Sequence, residues 1–290
     1  MGVLKFKSFY LVYIIPALVL YCIFFILPFI QTMIYSLYNW DGINTPIFIG
    51  MKNYWEMFHD SVFYASTGRV LKWALIQGIV QISIAMLLAN VLKDKIKGSQ
   101  FFRAVYFIPV VMSSAAICVM FTVMYDNDIG LLNALLRSIG LGNLAKVWLG
   151  DASVAFYAAI AVPIWQGIGL YMVILLSGLQ SISEEIFESA KMDGANAWQQ
   201  LTRITIPMMW GIIQICIILT VSGTFKNFDY VYILTAGGPG SSTHVLATYM
   251  YDKAFIGLRY GYGTAVAVII FMLGLSFTVI FQTLTKTRDT

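Results

Sequence analysis

Six stretches of the chain, at about 9–32, 70–92, 104–125, 154–178, 207–224 and 264–283, are apolar almost without interruption. Each is near the ~20 residues that a helix needs to cross a hydrocarbon core about 30 Å thick. A barrel strand would be half as long and would alternate apolar with polar positions, and neither 70–92 nor 264–283 alternates. The pattern predicts an all-α integral membrane protein with six transmembrane helices, organised as a single transmembrane domain over 1–290. The polar segments between the spans leave no room for a soluble domain of more than about 40 residues, short of an ordinary domain.

Composition sharpens this reading. Hydrophobic residues make up 59% of the chain and charged residues 11%, against about 45–50% and about 25% in a soluble domain. The formal charge of +4 could suggest an anionic partner. Yet the Lys and Arg residues form no stripe interleaved with aromatics, so no nucleic-acid partner is expected. They serve better as topology signals, because short cytoplasmic loops are enriched in Lys and Arg. An N-terminus inside the cell places Lys5, Lys7, Lys93, Lys95, Lys97, Arg103, Lys191, Arg203, Lys286 and Arg288 on the cytoplasmic side, out of 18 in the chain. Six spans then leave both termini cytoplasmic and put 41–69, 126–151 and 226–263 outside. Tyr35, Tyr38, Trp40, Tyr125 and Trp148 fall at the outer interface, where amphipathic rings are favoured. The first apolar run follows Lys5 and Lys7 and has no small-residue cleavage site, so it is expected to remain as a membrane helix.

Several chemistries are missing. Cys22, Cys118 and Cys216 lie within apolar runs without CxxC spacing, and His59 and His244 lack neighbours at metal-ligand spacing, so no metal site is expected. No Ser/His/Asp set or HExxH is present, and the spans carry no carboxylate able to relay protons. No catalytic residue is therefore assigned, which argues against a membrane hydrolase and a proton-coupled carrier. The glycine cluster Gly237-Gly238-Pro239-Gly240 lacks the Lys of a phosphate-binding loop. The chain is expected to bind no cofactor, and any ATP and Mg would belong to partner subunits.

The polar stretch 181–207, SISEEIFESAKMDGANAWQQLTRITIP, is too regular for a simple connection. Ser181 with Glu184 reads as a capping box, which satisfies free N–H groups at a helix start. Ile186, Phe187 and Ala190 give an apolar face at helical spacing. Asp193-Gly194 signals a turn, since glycine tolerates positive φ, and Ala195 to Leu201 reads as a second short helix. Pro207 suits the first turn of the next membrane helix, where its missing N–H is not needed. The whole predicts a cytoplasmic helix–turn–helix shaped for a groove on another protein.

Glu188, Ser189, Ala190, Gly194, Ile204 and Pro207 resemble the cytoplasmic "EAA" signature of permease subunits of ATP-binding-cassette importers, with Ser189 in place of the usual first alanine. The segment FDYVYILTAGGPGSSTHVLATYMYDKAF, from Phe228 to Phe255, is similar to the outer segment of maltose-type first permeases. The resemblance runs from Leu71 to Phe281. It implies that Glu188, Ser189, Ala190, Asp193, Gly194 and Ala195 couple the permease to an ATPase, with Glu188 facing a cationic group. It also implies alternating access driven by other chains. Those partners are a second homologous permease, two cytoplasmic ATP-binding-cassette subunits and an extracytoplasmic solute-binding protein delivering a carbohydrate, in the bacterial plasma membrane.

For the solute itself, interrupted helices with polar groups at mid-depth are the usual pointers. The run from Pro163 to Gly169 in the fourth span reads as such an interruption, with Trp165 able to stack on a sugar face, Gln166 to hydrogen-bond a hydroxyl, and Gly167 to allow close approach. The resemblance adds Thr220, Gly223, Thr224 and Asn227, where small residues stand in place of the aromatic contact of the maltose pattern. Packing of helix on helix competes with ligand binding for Thr220, Gly223 and Thr224, and Gln77 and Gln81 are expected to bond a neighbouring helix. Rival readings are an importer of a polyol, glycerol phosphate or another small polar solute, and a membrane enzyme or scaffold.

Overall fold

The computed structural model describes residues 8–93 and 98–285. Lys5, Lys7, Lys95, Lys97, Lys286 and Arg288, which carry part of the orientation argument, lie outside the described residues. Among the described residues, four helices are long and apolar enough to cross a membrane: Tyr13–Tyr35, Ser61–Lys93, Ala155–Gln180 and Tyr260–Thr285. Counting the bent pairs Ser99–Val111 with Ser114–Met124 and Ala197–Met208 with Trp210–Lys226 as one span each gives six. The all-α class is as expected, apart, among the described residues, from a hairpin of two strands of two residues each. The chain divides into two compact units.

The first unit comprises Met1–Asp60 and Met250–Met272. Its leading helix passes through a π-turn at Cys22–Ile26, where the Leu27 N–H reaches back to the Cys22 carbonyl. Pro28 follows at the start of Leu27–Tyr35 and has no N–H with which to continue the ladder. None of the apolar window of Tyr13–Tyr35 is buried within the chain, so this surface faces lipid or another chain. After it, Tyr38–Asn39 pairs antiparallel with Ile47–Phe48. Asn53, which is buried, donates to the carbonyls of Ser36 at 2.8 Å and Tyr38 at 2.9 Å and so fastens the hairpin to the short helix Lys52–Met57. A side chain on Gly261 would meet the Tyr38 carbonyl, and the Gly261 N–H donates to Trp40 at 3.0 Å.

Arg259 joins Glu56 through two parallel bonds of 2.6 Å. The guanidinium hydrogen bond holds the Glu56 carboxyl below its ordinary value, more than burial raises it. A carboxyl lowered on folding stabilises above its unfolded pKa and loses that contribution as pH falls through the folded one. Both side chains are half exposed, so the pair contributes only about 0.2–1 kcal/mol. A double-mutant cycle of Glu56→Gln and Arg259→Gln on thermal unfolding should show that coupling at pH 7 and lose it once the pH falls below the ordinary glutamate value and through the lowered folded one; coupling that persists in strong acid would refute the ion pair.

The second unit comprises Ser61–Tyr249 and Leu273–Thr290. Its spine is Ser61–Lys93 packed along Ala155–Gln180. Sequence reading expects the latter to break at Pro163, but the helix runs on without interruption. Membrane helices tolerate proline where packing against neighbouring helices holds them together. Here Gln81, fully buried, donates from Nε2 to the Ile164 carbonyl at 3.0 Å and the Pro163 carbonyl at 3.4 Å, while its Oε1 accepts from Gln77. Gln81 therefore bonds a neighbouring helix as expected, whereas Gln77 reaches it only through Gln81.

The real breaks lie elsewhere. The 104–125 run is not one straight span: Ser99–Val111 and Ser114–Met124 meet at 96°, because Met112 and Ser113 are extended just beyond Pro109. The expected span 207–224 begins instead at Trp210, after a bend of 76° from Ala197–Met208 at Met209. Pro207 thus lies before the bend and not in the first turn of the membrane helix. Two buried clusters hold the unit. One gathers Ala85, Ala89, Leu92, Met172, Leu175, Leu179, Phe187, Met209 and Cys216, and the other Ile117, Cys118, Ala159, Val162 and Leu234. The His244 ring packs against Gly237 and bonds Thr248 at 3.2 Å.

Candidate functional site

The 181–207 segment folds as a helix, a turn and a second helix. The capping box expected at Ser181 and Glu184 is not formed, because Ser181 ends the preceding helix and bonds the Gly178 carbonyl. Ser183 takes the N-cap of Glu184–Met192 and accepts from the Glu185 N–H at 3.3 Å. The helix stops at Gly194, with φ of +81°. There the Gly194 N–H donates to Lys191 and the Ala195 N–H to Ala190 at 2.9 Å, the glycine-dependent closure that satisfies orphan carbonyls. The second helix starts at Ala197, not Ala195, because a reciprocal capping box joins Asn196 and Gln199. It continues through a π-turn at Leu201–Thr205 to Met208.

Glu188, Ser189, Asp193 and Gly194 are exposed and Ala190 and Ala195 half-buried. Phe187 alone of its helix is buried, at 5% exposure, with the Lys93 ammonium 3.1 Å above its ring. Ile186, on the expected apolar face, is exposed, and so are Met192 at 88% and Trp198 at 69%. Sequence reading passes over Met192, although an apolar residue immediately before Asp-Gly at a helix end was a signal available to it. Behind the helix lies a cleft of about 690 Å³ lined by Lys93, Arg103, Gln180, Glu184, Glu188 and Lys191 among others. Phe187→Ala, a deletion that costs about 3–5 kcal/mol when the ring is buried, should unlatch this helix. Amide exchange across Glu184–Met192 would then accelerate, while exposed Met192→Ala leaves it unchanged; equal exchange in both variants would show that Phe187 is not the anchor.

The seven residues proposed around the solute divide into two groups. Trp165 is 41% exposed and lies against Phe121, with centroids 5.5 Å apart. Gln166 is buried. Its amide donates to the Met112 carbonyl at 3.1 Å, at the break between the bent helices, and its Oε1 accepts from the Tyr230 hydroxyl at 2.7 Å. Ser114, at the same break, donates to Asp229 at 2.8 Å. Gly167 faces Gln81, whose amide a Cβ would strike. Thr220 and Thr224 are buried and return their hydroxyls to the carbonyls of Cys216 and Thr220, so they serve helix packing in this arrangement. Gly223 opens onto free space and Asn227 caps the same helix. No hydrogen bond joins this second group to residues 165–167 among the described residues. Asp229 and Tyr230 escape sequence reading because a boundary at 224 assigns them to the outer segment, and Ser114 because a lone hydroxyl inside an apolar run carries no local signal.

Several apolar spans, two of them sharply bent, with a buried polar cluster and a structured polar helix–turn–helix, are the features of a multi-span membrane protein. Residues 81–288 match the family described as binding-protein-dependent transport system inner membrane component, and the chain belongs to that family. It is 37% identical over 95% of both chains to the probable ABC transporter permease protein YurN of Bacillus subtilis. It is 34% identical to the multiple sugar-binding transport system permease protein MsmF of Streptococcus mutans, over 90% of this chain and 89% of that one. Its fold matches a chain of a bacterial alginate ABC transporter solved in complex with an alginate pentasaccharide-bound periplasmic protein, with a TM-score of 0.82, 21% identity and coverage of 95% and 94%.

Proposed function

We propose that the chain forms half of the translocation pathway of an ATP-driven carbohydrate importer. The observation that carries this reading is a family match over most of the chain together with a relative whose name specifies sugar transport. In this reading a second related permease completes the pathway. Two cytoplasmic ATP-binding-cassette subunits supply ATP hydrolysis with Mg, and an extracytoplasmic binding protein delivers the sugar. Both termini face the cytoplasm of a bacterial cell and the whole chain acts as one transmembrane domain. Glu188, Ser189, Ala190, Asp193, Gly194 and Ala195, with Met192 beside them, meet the ATPase. The exposed carboxylate and apolar tips on a helix anchored by one buried ring support that role. Rocking of the membrane helices by this contact exposes a central site alternately to either side. Trp165, Gln166, Gly167, Gly223 and Asn227 contribute to that site, with Thr220 and Thr224 behind them.

The test is purification of the chain with its native membrane partners, identification of those partners by mass spectrometry, and ATPase assay with sugar-loaded binding protein. A copurifying ATPase stimulated by one sugar establishes importer and substrate together. Absence of any ATPase partner in mild detergent would overturn the reading.

A further inference from the structure

Resting on the importer reading, we propose that Asp229 lies in the water-filled pathway and selects uncharged polyhydroxylated solutes over anionic ones. Gln166 is the twelfth residue of the 26 in Ala155–Gln180, about 16 Å from the helix end at 1.5 Å per residue and so near the bilayer middle. Tyr230 bonds Gln166 directly, and Ser114, which bonds Asp229, opens the helix two residues beyond the Met112 carbonyl that Gln166 also holds. These bonds bring Asp229 to the same depth, although the end of the apolar run would put it outside.

Asp229 is nevertheless exposed in the chain, and among the described residues it forms no ion pair. An exposed carboxylate at this depth cannot face hydrocarbon; intramembrane charges face a water-filled cavity or pair with one another. Lys226 is exposed too, in the last turn of its helix, but its four-carbon stem lets the ammonium reach outward. Asp229 has one side-chain methylene and a hydrogen bond to Ser114 that fixes it. A fixed carboxylate beside the half-exposed Trp165 ring offers what a neutral sugar needs, an acceptor for hydroxyls and an apolar face. The same charge repels a uronate or a phosphate.

The test uses the whole complex, purified from its membrane and reconstituted in vesicles, with Cys22→Ser removing the one exposed thiol among the described residues. Ser114→Cys then sets a probe against Asp229. A cationic methanethiosulfonate should modify it about tenfold faster than an anionic one of similar size, as a focused negative charge requires. Asp229→Asn, which keeps an oxygen for hydrogen bonding, should abolish that preference, lower neutral-oligosaccharide transport about tenfold and raise transport of a uronate-containing one. Failure of both reagents to react, or a preference unchanged by Asp229→Asn, would overturn the assignment. If the thiol results hold but the unmodified complex transports no saccharide, the carbohydrate reading falls and the place of Asp229 in the pathway stands.

Discussion

Replacing Gly169 by leucine is expected to prevent the second unit from assembling. A Cβ at Gly169 would collide with the Tyr106 carbonyl oxygen, so Ser99–Val111 and Ala155–Gln180 approach there backbone to backbone. Small residues permit this approach in membranes, where helices associate through packing rather than water exclusion. Overpacking an ordinary core costs about 1–3 kcal/mol because side chains adjust, but a carbonyl oxygen in a helix cannot rotate away. The two helices must separate, which also pulls the Met112 carbonyl from the Gln166 amide and leaves buried polar groups unpaired. A loss of about 3 kcal/mol or more is a large part of the 5–15 kcal/mol by which proteins are stable. Gly169→Leu should lose detergent-stable, monodisperse protein and Gly169→Ala should retain part of it. Gly223→Ala, at a glycine with no atom within 4 Å of the added carbon, should match the unmodified protein. A leucine variant with normal yield and melting temperature would show that the close approach is not required.

The helical class and the long spans were legible because a membrane helix declares itself by length and apolarity alone, residue by residue. Gly194 was legible for a similar reason: only its local φ matters, and Asp-Gly after an amphipathic run names the stop. What failed was whatever depends on a distant partner. Pro163 looks like a break in isolation, but the helix runs through it, packed along the helix of Gln81, which bonds the Pro163 carbonyl from 82 positions away. The true break at Met112 looks like nothing in an apolar run, and its carbonyl is held by Gln166, 54 positions on. Ser181 and Ser183 both offer a hydroxyl before the Glu pair, and the choice follows from where the preceding helix stops. For the solute residues the same logic applies: Thr220 and Thr224 have the right chemistry, but their rotation about the helix turns them inward, while Asp229 and Tyr230 are drawn toward Gln166.

Reversing the charge at Glu188 should leave a complex that assembles and inserts but scarcely transports. Glu188 is exposed on a helix whose only deeply buried side chain is Phe187, so lysine there disturbs no packing within the chain. Its effect must come from whatever the helix touches. If a cationic group of the ATPase faces it, the substitution exchanges attraction for like-charge repulsion, which costs several kcal/mol at an interface. At 1.4 kcal/mol per factor of ten, sugar-dependent ATPase stimulation and uptake should fall about 100-fold. Glu185→Lys supplies the control, since it is also exposed and lies three positions away. A solvated charge contributes about 0–1 kcal/mol, so two solvated glutamates would give the same mild phenotype. Ser189→Ala, small for small, should be neutral. Loss of function confined to Glu188→Lys, with rescue by a reversed charge on the ATPase, would fix the contact and its sign. Normal uptake in Glu188→Lys would remove the residue from coupling and leave Met192 and Trp198 as the surface that carries the ATPase.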